Sequence, residues 1–201
     1  MIKNLLRLIN KENITIALTA FIPAFIIILL VAFQPFHEPK IFLRDYNYRV
    51  YFGIVSNIGS FLWDAAAVIA LIGALYAKKI GAKKTYQFLG FATALSLFLM
   101  IDDFFMIHDR VFPHFLGLPE EIIYFFIIAS TFFYLYLYYR MKNFYYAPVL
   151  LSALGFLFLS LSGDVFGLGY LFEDGTKFIG ISMWFAFHWV TTWSLITKNN
   201  V

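Results

Sequence analysis

Residues 14–33 read ITIALTAFIPAFIIILLVAF, twenty positions without one charged side chain. As a helix the stretch would be about 30 Å long, which matches the hydrocarbon core of a bilayer. Five further runs have similar character: Gly53–Ala77, Tyr86–Ile107, Ile122–Tyr139, Ala147–Val165 and Phe178–Thr197. Across the 201 residues 62% are hydrophobic and only 13% are charged. Soluble domains carry about 25% charged residues, so much of this surface has to face lipid. The pattern predicts an all-α, polytopic membrane protein: one domain over residues 1–201 with six transmembrane helices.

The first run is too long for a signal peptide, and no small-x-small cleavage site precedes Gln34, so it is expected to remain as a span. Ahead of it, residues 1–12 place Ile2, Leu5, Leu6 and Ile9 on one face and Lys3, Arg7 and Lys11 on the other. That spacing predicts a short helix lying in the membrane surface. The pI near 9.0 does not imply nucleic acid, because the basic residues sit in short clusters between apolar runs. With zero cysteines, disulfides, thiolate metal sites and iron–sulfur clusters are excluded.

Of the 15 Lys and Arg, ten fall on one side of the six-span topology: Lys3, Arg7, Lys11, Lys78, Lys79, Lys83, Lys84, Arg140, Lys142 and Lys198. Lys40, Arg44, Arg49, Arg110 and Lys177 fall on the other. The bias puts both termini in the cytoplasm of a multi-pass inner-membrane protein. Outer connections are expected at 34–52, as a partial lid carrying Pro35 and Pro39, and at 166–177.

In that topology Glu12 alone among the acids is cytoplasmic. The rest lie in outer loops or the outward halves of helices, notably in LMIDDFFMIHDR (99–110). A charged residue near the bilayer centre costs about 2.5–3.5 kcal/mol on insertion scales. Asp64, Asp102, Asp103, Asp164 and His188 are therefore expected to face each other, water or a metal. At about 100° per residue, Ser56, Ser60 and Asp64 share one stripe, with Asn57 adjoining. Asp102 and Asp109 share a face of the third run, with Asp103 and His108 on its flanks. Ser160 lies one turn before Asp164, and Glu173, Lys177, Trp184 and His188 fall near one line. These stripes predict an acidic, histidine-containing pocket open to the extracytoplasmic side.

Two motif matches fail. A prenyl-transfer DDxxD site needs an acid where Met106 stands. The stretch EDGTKFIGISMWFAFH (173–188) opens in a way similar to the Asp-Gly motif of CDP-alcohol phosphotransferases, but it lacks their later paired aspartates. The inventory Ser60, Asp64, Asp102, Asp103, His108 and His188 resembles that of alkaline-ceramidase-like membrane hydrolases, which hold zinc with Ser, Asp and three His. There is no HxxxH pair here and six spans replace seven, so no family position carries over.

On first principles, His nitrogens and Asp oxygens bind a divalent metal such as zinc, iron or manganese, and bound water is acidified toward pH ~7. The expected ligands are Asp64, Asp103, His108 and His188, with Asp102, Glu173 and Ser60 in catalytic roles. A metal-dependent intramembrane hydrolase of a lipid or small amphiphile follows from that set. A proton- or cation-coupled carrier is the alternative, since intramembrane Asp, His and Lys also line proton paths. A non-catalytic subunit of a membrane complex is the third.

Simpler roles are also legible. Pro119 suits a helix start, with Glu120 and Glu121 favoured by its dipole. Glu173 and Asp174 suit a helix start too, with Lys177 one turn on. Asp109, Arg110, His114 and His37 read as solvated, and Trp184, Trp189 and Trp193 as bundle packing. Asp64 as a neutral carboxyl beside Ser60 and Asn57 would likewise need no function.

Overall fold

The computed structural model describes residues 10–35, 38–43, 53–119 and 121–198. Residues 1–9 of the interfacial helix expected over 1–12, most of the 34–52 lid, His37 and Glu120 lie outside the described residues. Every regular element among those described is helical: α1 (Lys11–Phe33), the short α2 (Lys40–Leu43), α3 (Ile54–Lys79), α4 (Lys83–Phe105), a π-helical segment (Ile107–Leu116), α5 (Glu121–Met141), α6 (Ala147–Val165) and α7 (Tyr170–Lys198).

Five of these helices, α1 and α3 to α6, are long and apolar enough to cross a membrane. Their outer faces are large hydrophobic side chains left exposed by the chain itself, among them Phe33, Phe61, Phe125, Phe132 and Phe158. A surface of this kind suits a lipid environment. The segment expected as the sixth span is helical, as part of the 29-residue α7, but His188, Thr191, Thr192 and Ser194 dilute its apolar run and α7 is not among the five. It starts at Tyr170, eight residues ahead of the expected Phe178. The connection expected at 166–177 therefore shrinks to 166–169, where Gly167 and Gly169 take positive φ. Glu173 and Lys177 are helical residues.

In lipid, polar groups have to be satisfied within the protein. Hydroxyls do this locally by donating to the carbonyl four residues back, as in Thr15 to Lys11, Thr131 to Ile127, Ser162 to Phe158 and Ser182 to Phe178.

The chain forms two compact units. One comprises 1–62 and 145–187, the other 63–144 and 188–201. In the first, α1 packs on α6 with Phe21 against Phe156. Glycines allow α7 close to its neighbours: a Cβ at Gly180 would sit 2.8 Å from Leu157 Cγ, and one at Gly175 would meet Ile28 Cγ2 at 3.2 Å. Small residues play this part between membrane helices generally. The start of α1 is fastened to Tyr145 and Tyr146. Asn13 donates to the Tyr145 carbonyl at 2.6 Å, and the Glu12 carboxylate accepts from the hydroxyls of Tyr145 and Tyr146.

In the second unit α4 and α5 pack antiparallel through ring pairs, Phe88 with Tyr134, Phe91 with Phe133 and Phe98 with Phe126. The carboxyl-terminal part of α7 lies on α3. Thr192 donates to the Ile69 carbonyl at 3.2 Å, and a Cβ at Gly73 would come within 2.5 Å of the Thr192 hydroxyl.

Candidate functional site

The third apolar run does not continue through Ile107 as one helix. α4 ends at Phe105, and Met106 adopts the left-handed conformation, φ 50° and ψ 49°. Its N–H still bonds to the Asp102 carbonyl, so the backbone pairing is kept while the chain changes direction. The π-helical turns that follow carry Pro113 and end at Gly117, again left-handed. Wide π-helical turns interrupting α-helices recur at functional sites.

This break corrects the phase reading of the stretch. In an unbroken helix His108, six positions after Asp102, would lie about 9 Å further along and on another side. Instead the redirected chain returns to the carboxylate. Asp102 Oδ1 accepts the His108 backbone N–H at 3.1 Å, and Oδ2 lies 2.7 Å from His108 Nδ1. Asp102 is buried, 2% exposed. Both its oxygens thus engage one residue, and a helix start also receives an acidic cap. Asp109, expected to share a face with Asp102, falls in the π-helical segment, and its side chain lies outside what is described. His114, as expected, is exposed.

A carboxylate oxygen accepts, so His108 Nδ1 is the donor, and the neutral ring then carries its basic lone pair on Nε2. The His108 ring also lies 5.5 Å from that of Tyr124 on α5. Near the pair in sequence, Phe104, Phe105, Phe115, Leu116 and Leu118 are all exposed.

Asp103 takes a different partner. Trp63 on α3, itself buried, donates its indole N–H to Asp103 Oδ2 at 2.9 Å. The partner offered by α3 is therefore Trp63, one position before the expected Asp64. The available signal was general: a buried indole needs an acceptor. Asp64 is exposed, on a face otherwise made of Phe61, Val68, Leu71, Ile72 and Leu75. His188 is fully buried, and its Nε2 lies 3.2 Å from the hydroxyl of Tyr134, which is equally buried.

The remaining expected site residues belong to the first unit. Ser60 is buried and donates to the Ser56 carbonyl at 3.3 Å. Ser160 is buried and Asp164 exposed. Glu173 sits in the first turn of α7.

The four expected ligands, Asp64, Asp103, His108 and His188, do not assemble. Among the described residues no three His, Asp or Glu side chains converge to hold a metal ion. What the structure does bring together is Asp102 with His108, Asp103 with Trp63, and His188 with Tyr134.

An all-helical chain with five apolar helices of spanning length, and acid and imidazole groups held within it, is a helical membrane protein. Residues 14–191 match the model of a family described as a domain of unknown function (DUF8692), and the chain belongs to that family. No curated protein and no solved structure matches it.

Proposed function

We propose that the chain is a six-span inner-membrane protein with both termini cytoplasmic, and that Asp102 and His108 form an acid–base site at its outer side that hydrolyses a lipid or other amphiphile. The observation that carries this reading is the double engagement of Asp102 by His108 at 2.7 and 3.1 Å. A base works best when a buried acceptor fixes its tautomer and direction. Here the ring is held through Nδ1, so Nε2 would take the proton from an attacking water. The water oxygen bonds to the substrate's acyl carbon, the leaving group departs, and Nε2–H returns the proton to it. The exposed Phe104 and Phe105, which follow Asp102 in the chain, favour an amphiphile over a polar solute. The outward placement is supported by the ten-to-five division of Lys and Arg.

A divalent metal would fit His108 only in part. An imidazole held through Nδ1 by a carboxylate is the usual outer-shell arrangement behind a metal ligand, but the described residues supply no three-donor group. No step is therefore routed through a metal. Element analysis of the purified protein, wild type beside His108→Ala, separates the two versions of the chemistry.

The test is turnover of acyl esters, acyl amides and phospholipids by the full chain in lipid nanodiscs. Hydrolysis of at least one class is expected, falling by about 10²–10⁴-fold in both His108→Ala and Asp102→Asn. Absence of turnover on all three classes, or turnover indifferent to both substitutions, overturns the proposal.

A proton- or cation-coupled carrier is the second reading. The buried Tyr134–His188 pair favours it, since two groups able to exchange a proton sit inside the second unit. A pH- or ion-gradient-driven flux in reconstituted vesicles that His188→Ala abolishes is its distinguishing result.

A further inference from the structure

The two faces of α3 differ sharply. One is buried and small: Ala66, Ala67, Ala70, Ala74 and Ala77 are at most 2% exposed. The opposite face is exposed, with Phe61, Val68, Leu71, Ile72 and Leu75 lying within about 100° of arc around Asp64. Asp64 is exposed in the middle of that apolar stripe. It stands ten residues after Ile54 in a 26-residue helix, about 15 Å along an element of about 39 Å. Among the described residues it has no hydrogen-bond or ion-pair partner. An isolated carboxylate at that depth is costly in hydrocarbon, so something other than acyl chains has to meet it.

Charge decides what that is. In the five apolar helices every Lys and Arg lies in the first or last turn. Lys177, further inside α7, already has a partner within the chain. A second copy of this protein would bring a carboxylate against a carboxylate, which disfavours ionisation of both. A helix with a basic side chain at mid-depth neutralises Asp64, and its apolar remainder suits the rest of the stripe.

We propose that the Asp64 face of α3 is an intramembrane docking surface for the transmembrane helix of a different protein, one carrying a single Lys or Arg near its midpoint on an otherwise apolar face. The surface is independent of the acid–base site, which can fail or stand without it.

The experiment places the full chain in zwitterionic lipid vesicles, with a fluorophore on Lys198→Cys in a sequence that has no cysteine of its own. Energy transfer is titrated with a synthetic Leu/Ala transmembrane peptide bearing either one central Lys or Leu in its place. The Lys peptide is expected to bind wild type about ten-fold more tightly than the Leu peptide, the range of a polar contact between membrane helices. Asp64→Leu, which replaces an exposed side chain by one at home in lipid, loses that preference. Asp64→Lys transfers it to a peptide with a central Asp. Equal binding of the two peptides by wild type overturns the proposal, as does a preference that persists in Asp64→Leu. Self-association of wild type that Asp64→Leu abolishes overturns it as well, by giving the face to a second copy.

Discussion

Asp64 and Asp102 are both aspartates set in apolar helices, and they end in opposite environments. Asp102 is buried, with each oxygen engaged by His108. Asp64 is exposed among Phe61, Val68 and Leu71. Neither outcome follows from hydrophobicity, which is alike around the two. The difference lies in what the backbone does next. After Asp102 the helix stops within one turn, at Met106, and the returning chain supplies a partner. After Asp64 the helix runs on to Lys79, so nothing local can fold back to it. A carboxylate inside a long membrane helix depends on other elements or other proteins, whereas one beside a break can be satisfied by its own chain.

The strongest way to break this comparison is to remove each carboxylate and measure thermal unfolding in detergent. Asp102→Ala strands the part-buried His108 N–H and is expected to cost about 1–3 kcal/mol. Asp102→Asn keeps an acceptor for that N–H and should lose less than half as much. Equal losses in the two variants would show that the carbonyl-type oxygen at this position does not cap the following turns.

The buried side of α3 gives the next effect. Gly73→Ala pushes a methyl into Thr192 and Leu89, whose atoms would lie 2.5 and 2.8 Å away. Overpacking costs about 1–3 kcal/mol, and the gain in helix propensity returns up to about 1. A net loss is therefore expected from the same melting experiment, with an increase in stability counting against the close approach of α7 to α3. Asp64→Leu, on the other face of the same helix, is expected within about 0.5 kcal/mol of wild type for the isolated protein. A large loss there would mean that Asp64 has a partner inside the chain.

The smallest expected effect is at the start of α1. Tyr145 donates its hydroxyl to the Glu12 carboxylate, and this bond raises the phenol's pKa above its usual value near 10. The folded state therefore holds the proton more tightly than the unfolded one. The contribution is whole below about pH 10 and is lost as pH rises through the folded-state value. The stability difference between wild type and Tyr145→Phe should be constant through neutral pH and shrink at the alkaline end. A difference that grows with pH would exclude the bond as drawn.

Particular residues show how far the sequence carries. The runs Ile14–Phe33 and Ala147–Val165 were legible almost to the residue, because an unbroken apolar run of spanning length has few alternatives. Lys83 lies ahead of the expected start because Lys83, Lys84 and Thr85 make a polar first turn, and Tyr170 because Glu173, Asp174 and Lys177 interrupt the apolar run between it and Phe178. At the site, Asp102 and His108 were both singled out, but as members of different roles. Their pairing was hidden because periodicity assumes one continuous helix, and nothing in MIHD marks Met106 as left-handed. Non-glycine residues seldom adopt that conformation. Trp63 stands beside the more conspicuous Asp64, and nothing in its spacing marks it as the donor to Asp103. Tyr134 lies in the tyrosine-rich end of α5, and only packing shows it buried against His188.

By itself the sequence determined that this is a chain of long helices bound for lipid, because hydrocarbon admits only backbones that satisfy their own hydrogen bonds. Tertiary structure alone decided which ionisable groups meet. A left-handed residue turned Asp102 and His108 toward each other, and the alanine face of α3 packed inward while its aspartate face stayed outside. Composition fixes the solvent a helix prefers, but the partner of a polar atom depends on direction, and direction is set only when the elements are packed.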